Sequence, residues 1–394
     1  MKKIGFVIPW YGEDIPGGAE AELRGIVHHL AEQGVEVEVL TTCVKSFQDD
    51  WDTNYYRSGL TIEAGIPVRR FKVRKRNRRL FDEVNLKLMK DSRIDQDEES
   101  IFCQHMINSD ALYKYMRKQQ GSYSAFAFIP YMFGTTYYGC QIAPQKSVLI
   151  PCFHNESYVY MECFQKAFSQ VGGMIFNAEP EKQLAKRLFG VDGEKYKTFG
   201  IGLSTDWKAN PERFRAKYHI NEPFILYAGR KEPGKRVDQL ISYFLEYKKR
   251  NPGDMKLVLI GGGDIEIPDP EQIIDLGYVD TQDKYDAYGA ATLFCNPSQM
   301  ESFSFVIMES WLAERPVLVN GKCDVTRSFV VDSSGGLYYD NVREFEATIN
   351  YIVNHQSIAK QMGQNGRRYV LDKFDWKVIT PRYIEYFQHI AGEQ

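Results

Sequence analysis

The feature that most constrains this chain is a pattern of short apolar runs and amphipathic segments that begins near the N-terminus and starts again past the midpoint. Residues 4–9 are apolar, residues 19–33 carry apolar side chains at helical spacing, and residues 35–40 form a second strand-like run. Short apolar runs bounded by glycine or proline are typical of parallel strands that are covered on both faces. This alternation predicts a doubly wound α/β domain.

The pattern restarts at residues 224–229 and continues with helical spacing over 237–247 and apolar runs at 256–260 and 291–296. A chain of 394 residues suits two domains of similar size. We predict a first domain over residues 1–205 and a second over residues 206–375, with the polar stretch between Asn210 and Pro223 near the boundary. An aromatic-rich helix over residues 376–394 is expected to pack back on the first domain.

Composition narrows the class of protein. A formal net charge of -3 argues against general nucleic-acid binding, which usually needs a strongly basic balance. Seven cysteines without a Cys-x-x-Cys motif favour scattered, reduced thiols over a disulfide framework or a zinc site. No segment approaches the roughly 20 apolar residues that span a bilayer, and the N-terminal apolar run lacks a signal-peptide cleavage pattern. We therefore expect a cytoplasmic protein, with a peripheral position on the inner face of the membrane left open.

Two glutamates eight positions apart, Glu301 and Glu309, give the strongest chemical signal. They follow the apolar run that ends at Asn296, and Ser302 or Ser304 is placed to cap a helix there. This interpretation puts Glu301 at the start of the helix and Glu309 about two turns later, roughly 12 Å away. The spacing fits a ligand with sugar hydroxyls at one carboxylate, ribose hydroxyls at the other and a phosphate at the free backbone N–H groups.

A phosphate beside carboxylates requires cations, and Arg230 and Lys235 are placed to supply them. Both follow the apolar run at residues 224–229, and ligands bind beyond the carboxyl ends of strands in α/β sheets. Arginine binds phosphate oxygens through a fork of N–H groups, whereas lysine acts as a point charge. In a glycosyl transfer with a nucleoside diphosphate as leaving group, these cations would stabilise the charge that grows as the sugar–oxygen bond breaks.

Together these motifs resemble glycosyltransferase family 4, a retaining, metal-independent family with the GT-B fold. Glu301 and Glu309 match its paired acidic motif, and Arg230 and Lys235 match its two cations. Further segments that resemble the family are the Gly17-Gly18 loop after the first strand, the loop with Gly261, the Tyr278-Val279 segment that lines the nucleoside, and His154 after a strand of the first domain. The resemblance covers nearly the whole chain and is sparse between residues 46 and 122. It implies an α/β, GT-B-like fold of two Rossmann-like, doubly wound domains that face a cleft.

The resemblance also implies roles for these residues. Glu301 would bind the hydroxyls of the transferred sugar, Glu309 would bind the ribose, and His154 would lie near the reacting sugar. The implied catalytic group is His154, Glu301, Arg230 and Lys235, and the implied donor-binding set is Gly17, Gly18, Arg230, Lys235, Gly261, Tyr278, Val279, Glu301, Phe303, Ser304 and Glu309. Phe303 and Ser304 would act through their backbone amides. No metal and no cofactor is implied besides the donor, a nucleotide sugar of the UDP or GDP type.

The family commonly has glycine where this chain has Arg236 and Ser304, so we expect these side chains to alter the fit of the donor. The implied function is transfer of a sugar, with retention, from a nucleotide-diphosphate sugar to a saccharide or lipid-linked saccharide in bacterial surface glycan biosynthesis. A nucleotide-sugar epimerase or hydrolase on the same fold, or a non-catalytic sugar-nucleotide sensor, is the alternative.

Two charged segments have a functional and a plain interpretation. Residues 69–79, from Arg69 to Arg79, are strongly basic. Val68, Phe71 and Val73 predict a strand in the first half, and the remainder could meet an anionic membrane surface or a phosphate-bearing acceptor, or form a solvated loop. Asp95-Gln96-Asp97 imitates the metal-binding Asp-x-Asp motif of other glycosyltransferases, but no strand precedes it. We interpret it as a solvated face.

Overall fold

The computed structural model describes residues 2–392, which form two compact units. The first unit comprises Met1–Gly202 together with Trp376–Gln394, and the second comprises Leu203–Asp375. The division between the two units lies after residue 202, whereas the sequence predicted it after residue 205. Glu393 and Gln394, which the sequence placed in the closing helix, lie outside the described residues.

The first unit is built on an eight-stranded sheet. In chain order the strands are β1 (Lys3–Val7), β2 (Val37–Thr42), β3 (Gly59–Glu63), β4 (Ile66–Phe71), β5 (Tyr123–Phe128), β6 (Ser147–Leu149), β7 (Gly173–Phe176) and β8 (Tyr196–Thr198). Their spatial order is β3-β4-β2-β1-β5-β6-β7-β8, and the β3–β4 pair is antiparallel whereas the other neighbours are parallel. Every residue of β2, β5 and β7 is buried, as expected for strands covered by helices on both faces.

Helices connect these strands. In chain order they are α1 (Gly18–Glu32), α2 (Arg78–Met89), α3 (Gln96–His105), α4 (Asp110–Gln119), α5 (Gly134–Cys140), α6 (Glu162–Phe168) and α7 (Glu179–Phe189). In α1 the buried side chains include Leu23, Ile26, Val27 and Leu30, which recur at helical spacing and face the sheet.

The second unit is built on a six-stranded, all-parallel sheet. Its strands are β9 (Phe224–Ala228), β10 (Lys256–Ile260), β11 (Ile273–Asp275), β12 (Leu293–Asn296), β13 (Val317–Asn320) and β14 (Gly336–Tyr339). Its helices are α8 (Pro211–Tyr218), α9 (Val237–Arg250), α10 (Thr281–Ala290), α11 (Phe305–Leu312), α12 (Asp324–Ser333), α13 (Val342–Asn354) and α14 (Gln356–Phe374). The spatial order is β11-β10-β9-β12-β13-β14, so the chain reverses its direction across the sheet between β9 and β12. Such a switch point opens a crevice at the carboxyl ends of the two strands.

The polar stretch between Asn210 and Pro223 belongs to the second unit. Asn210 caps α8 by accepting the N–H of Arg213 at 3.0 Å. Asp286 of α10 is fully buried, accepts the N–H of Asn210 at 2.8 Å and pairs with the Arg213 guanidinium. Helix α8 therefore belongs to the second unit, because the polar groups at its N-terminus are satisfied by Asp286 of that unit.

The closing helix α15 (Trp376–Ile390) is part of the first unit, and its first residue packs on α1. The Trp376 ring stacks on His29 of α1, with ring centroids 4.2 Å apart and planes at 12°. A Cβ added at Gly25 would lie 2.2 Å from this ring, and one at Gly202 would lie 2.3 Å from it. These two glycines therefore make room for the tryptophan.

The basic segment is partly built into the first unit. Arg69 lies in β4 and pairs with Glu38 at 2.7 Å. Arg70 is 4% exposed and pairs with Glu63 of β3. Exposed arginines occur where α2 begins, at Arg78. The first half of the segment thus starts in a strand, as predicted, and Arg69 and Arg70 make internal ion pairs. Between residues 2 and 392, no helix combines the length and apolar character needed to cross a membrane.

The acidic segment Asp95-Gln96-Asp97 starts α3. Asp95 accepts the N–H of Glu98 at 2.9 Å, and the Glu98 side chain accepts the N–H of Asp95, which completes a capping box. Asp95 and Asp97 are exposed, as the solvated-face interpretation requires. In the described part of the chain, no group of three or more His, Cys, Asp or Glu side chains is arranged to hold a metal ion.

Candidate functional site

The loops that follow β9 and β10 meet beside the switch point of the second unit. After β9 the chain passes through Gly229 and Arg230, and the hydroxyl of Tyr227 donates to the carbonyl of Arg230 at 2.7 Å. A Cβ at Gly261, which follows β10, would lie 2.1 Å from the carbonyl oxygen of Gly229, and Gly261 has a φ of 121°. Only glycine allows this approach, because both the space and the dihedral angle exclude a side chain.

Lys235 and Glu301 meet at this switch point. Lys235 ends a short 3-10 turn in the loop after β9, and Glu301 lies in the loop after β12. Lys235 Nζ donates to Glu301 Oε1 at 2.8 Å, although the residues are 66 positions apart in the chain. Arg230 extends from the same loop as Lys235, is 58% exposed and lies 3.2 Å from Glu232. Two predicted cations and one predicted carboxylate are therefore grouped at one edge of the sheet.

The predicted position of Glu301 at the start of the helix is wrong. Helix α11 begins at Phe305, so Glu301 lies in the preceding loop and Glu309 is the fifth residue of the helix. Ser304 precedes the helix, but its side chain makes no capping hydrogen bond. Its Oγ accepts instead from Asn296 Nδ2 at 3.1 Å, which ties the loop to the end of β12.

Two residues of α10 hold the carboxylate of Glu309. Lys284 Nζ donates to it at 2.7 Å and the Tyr288 hydroxyl donates at 2.9 Å. Burial and the neighbouring Glu309 charge raise the pKa of Tyr288 well above its usual value, so this hydroxyl remains a donor. A carboxylate accepts about four hydrogen bonds, so Glu309 keeps acceptor capacity for ligand hydroxyls. Sequence reasoning missed Lys284 and Tyr288, whose i,i+4 spacing on one helix face was the available signal.

The Tyr278-Val279 segment, which is predicted to line the nucleoside, lies beside the glycine-rich loop. The Tyr278 ring is 83% exposed, and a Cβ at Gly262 would lie 2.4 Å from it. Val279 is half-buried. Lys231, which the sequence interpretation passed over, is 6% exposed and pairs with Asp275 at 2.8 Å, so it joins the loop after β9 to the end of β11.

The Phe303 side chain is buried in the second unit, and Arg236 has an unusual backbone conformation. The Phe303 ring is 4% exposed and packs edge-on against Phe329 and Phe374 within the unit. Arg236 has a φ of 56°, in the left-handed region that favours glycine. The side chain at position 236 therefore adds conformational cost at the start of α9.

In the first unit, Gly17 and Gly18 form an exposed turn at the start of α1. Gly17 has a φ of 147°, and a Cβ there would lie 1.9 Å from the carboxylate of Glu20. That carboxylate accepts from the indole N–H of Trp10. Gly17 thus leaves space for a buried Glu20–Trp10 hydrogen bond beneath the turn.

His154 also belongs to the first unit, in the loop after β6. Its Nδ1 lies 3.4 Å from Oε1 of Glu156, and the same oxygen accepts from the Tyr131 hydroxyl at 3.1 Å. The predicted site residues are therefore divided: Gly17, Gly18 and His154 lie in the first unit and the others in the second.

Two buried carboxyl groups near the His154 loop were not predicted. Glu22 of α1 is 1% exposed, its Oε2 accepts from Asn177 Nδ2 at 3.0 Å, and burial raises its pKa to about 8. Glu181 of α7 is 2% exposed, and burial raises its pKa to about 7, opposed by hydrogen bonds from backbone N–H groups. The available signal was the position of Glu22 on the apolar face of α1, four residues before Ile26.

Comparisons with known proteins show which families and structures this chain is similar to. Residues 210–369 match the sequence model of the family described as Glycosyl transferases group 1. The matched residues all lie within the second unit, Leu203–Asp375. Two solved structures have the same fold over the whole chain at low identity. Sucrose-phosphate synthase from Thermosynechococcus elongatus has a TM-score of 0.72, 15% identity and 100% coverage of both chains. Anabaena HepE, solved in complex with UDP, has a TM-score of 0.70, 16% identity and coverage of 98% and 100%.

These structural matches confirm the GT-B fold predicted from the sequence. Among curated relatives, an uncharacterized glycosyltransferase of Methanocaldococcus jannaschii is 23% identical over 48% of this chain and 50% of its own length. The capsular polysaccharide biosynthesis glycosyltransferase CapM of Staphylococcus aureus is 25% identical over 50% of this chain and 58% of its own length. The match thus spans about half the length of these relatives. Assignment to family 4 stays a prediction.

Proposed function

We propose that this chain is a glycosyltransferase whose second unit binds a nucleotide-diphosphate sugar and whose first unit binds a saccharide or lipid-linked saccharide acceptor. The observation that carries the proposal is the contact between Lys235 and Glu301 at the switch point, with Arg230 in the same loop. A crevice that combines cations and a carboxylate suits a ligand with both phosphates and hydroxyls.

In this proposal the cations act on the leaving group. Arg230 and Lys235 neutralise the diphosphate, and the benefit grows as negative charge develops during cleavage of the sugar–oxygen bond. Glu301 accepts hydroxyls of the transferred sugar and Glu309 accepts those of the ribose. The N–H groups of Phe303 and Ser304 precede α11, where backbone donors favour phosphate or sugar oxygens.

The proposal also covers the role of His154, the stereochemistry of the transfer, the donor and the product. His154 lies near the reacting sugar, and the sugar is transferred with retained configuration by front-face attack, without a metal ion. A UDP donor is favoured by the likeness in fold to HepE, which was solved with UDP and with UDP-glucose. Relatives named for capsular polysaccharide and poly(ribitol-phosphate) glycosylation favour a bacterial surface glycan as the product. We propose a cytoplasmic location.

The test is turnover with a panel of UDP-, GDP- and ADP-sugars, with and without saccharide acceptors. We expect acceptor-dependent release of a nucleoside diphosphate and a glycosylated product. Change of the donor without an acceptor would indicate an epimerase or hydrolase. Binding without any release would indicate a sensor. Either of these results contradicts the proposed transfer.

A matched set of variants tests the assignment of the site. Lys235→Ala and Glu309→Ala each remove a group that is proposed to contact the donor, and Lys249→Ala removes a 70% exposed lysine elsewhere in the same unit. We expect the first two to lower kcat/KM by about 100-fold or more and the third to leave it unchanged. Near-normal turnover of the first two variants would refute the assignment.

A further inference from the structure

The loop that carries His154 is held at its backbone by one buried carboxylate. Glu181 lies in the first turn of α7 and is 2% exposed. Its Oε1 accepts the N–H of Phe153 at 2.7 Å, and its Oε2 accepts the N–H of Asn177 at 2.7 Å. These N–H groups belong to the loops after the neighbouring strands β6 and β7. One carboxylate therefore ties two loops together at the carboxyl edge of the sheet.

The His154 loop needs such a tie. Cys152 has a φ of 57°, a left-handed conformation that is unfavourable for a residue with a Cβ. The next residue, Phe153, is 1% exposed and packs its ring against Tyr131 and Phe189, with centroids 4.9 and 5.1 Å apart. The backbone turns at Cys152, and the Phe153 ring is fixed in the core. His154 directly follows these two restrained residues.

The bonding around Glu181 requires two acceptors. Burial disfavours its carboxylate, whereas backbone N–H groups of Asn177, Phe153 and Ala178 and the charge of His154 favour it. Glutamine has nearly the same volume but offers one acceptor oxygen and one NH₂ donor. Glu181→Gln would leave one buried backbone N–H facing another donor, so it breaks the tie without opening a cavity.

We propose that Glu181 is the positioning residue of His154. This rests on the proposed function, in which His154 lies near the reacting sugar. A group that acts through correct placement contributes to the rate of the chemical step, and a misplacement of about 1 Å costs up to about 100-fold. The proposed donor contacts of the second unit do not involve Glu181. We therefore expect replacement of Glu181 to lower kcat and to leave the KM for the donor unchanged.

The experiment is a double-mutant cycle of Glu181→Gln and His154→Ala, with kcat and the donor KM measured for each variant. In the wild-type background Glu181→Gln should lower kcat by about 10- to 100-fold and change the donor KM by less than about 2-fold. In the His154→Ala background the same change should cost less than about 3-fold, because the residue through which it acts is absent. Glu99→Gln is the matched control, since Glu99 is 7% exposed and its carboxylate also accepts two backbone N–H groups, from Glu162 and Cys163 of α6, and this variant should keep kcat within about 2-fold.

Equal losses in both backgrounds would show a general structural role and overturn the proposal, as would an unchanged kcat in Glu181→Gln. If circular dichroism shows that this variant does not fold, Glu181→Asp carries the same test, since it keeps the charge but is too short to reach both loops. Wild-type protein that transfers no sugar from any donor overturns the proposed function as well. An active wild type with equal losses overturns only the positioning role.

Discussion

Replacing Glu22 with glutamine should stabilise the first unit, and the gain should grow with pH. Glu22 is 1% exposed, and burial raises its pKa to about 8 from an ordinary value of 4.5. Its hydrogen bonds come from Asn177 and Cys152, which are uncharged. The side chain is therefore held as a neutral acid at pH 7. Glutamine reproduces that neutral shape, with its amide oxygen in the place of Oε2.

The magnitude follows from the two pKa values. Below pH 4.5 the carboxyl is protonated in both the folded and the unfolded chain, so its contribution to stability is fully present. Between pH 4.5 and about 8 the unfolded chain loses the proton and the folded chain keeps it, so the free energy of unfolding falls by about 1.4 kcal/mol per pH unit. At pH 7 this amounts to about 3 kcal/mol. Glutamine does not titrate, so its variant avoids this loss.

Urea denaturation at pH 5, 6, 7 and 8, followed by tryptophan fluorescence, measures the effect. The difference between Glu22→Gln and wild type should be small at pH 5 and rise by about 1 kcal/mol per pH unit up to pH 8. Glu32→Gln, an exposed change in the same helix, should show no such trend. A difference that is constant with pH, or a glutamine variant that is less stable at pH 8, would refute the reasoning.

Other predictions concern packing and the donor loops. Trp376→Ala should lower the free energy of unfolding by about 3–5 kcal/mol in urea, because the ring fills the space above Gly25. Asp286→Ala should cost about 2–3 kcal/mol in the same assay, because it leaves the first turn of α8 without its buried acceptor. Gly261→Ala should abolish the rise in melting temperature that a bound nucleoside diphosphate produces, because its Cβ would lie 2.1 Å from the Gly229 carbonyl oxygen.

Periodicity and strand-bounding residues predicted the architecture because they are local signals. The run at residues 256–260 coincides with β10, and the run at 224–229 exceeds β9 by one residue. The start of α11 could not be predicted from spacing. Ser302 and Ser304 are both good capping residues, but the Ser304 hydroxyl is taken by Asn296 at the end of β12. That bond depends on tertiary structure.

Some contacts of the candidate site could be predicted from local signals, and others depend on tertiary structure. Lys235 and Glu301 were predicted together because each follows a strand, and parallel strands end at the same edge of a sheet. The partners of Glu309 lie on α10, 25 and 21 residues earlier, and their i,i+4 spacing places them on one helix face without identifying Glu309 as their partner. The burial of Glu181 was equally hidden, because its backbone partners come from two different loops.

The central claim is that the second unit binds a nucleoside diphosphate at Arg230, Lys235 and the two glutamates. Calorimetric titration of UDP, GDP and ADP into the wild type, Lys235→Ala and Lys249→Ala tests it most directly. We predict saturable binding of at least one of them to the wild type and to Lys249→Ala. In Lys235→Ala, loss of a charge-assisted contact of about 1.5–3 kcal/mol should weaken that binding by about 10- to 100-fold. Equal affinity in all three proteins, or no binding of any of the three nucleotides to the wild type, would contradict it.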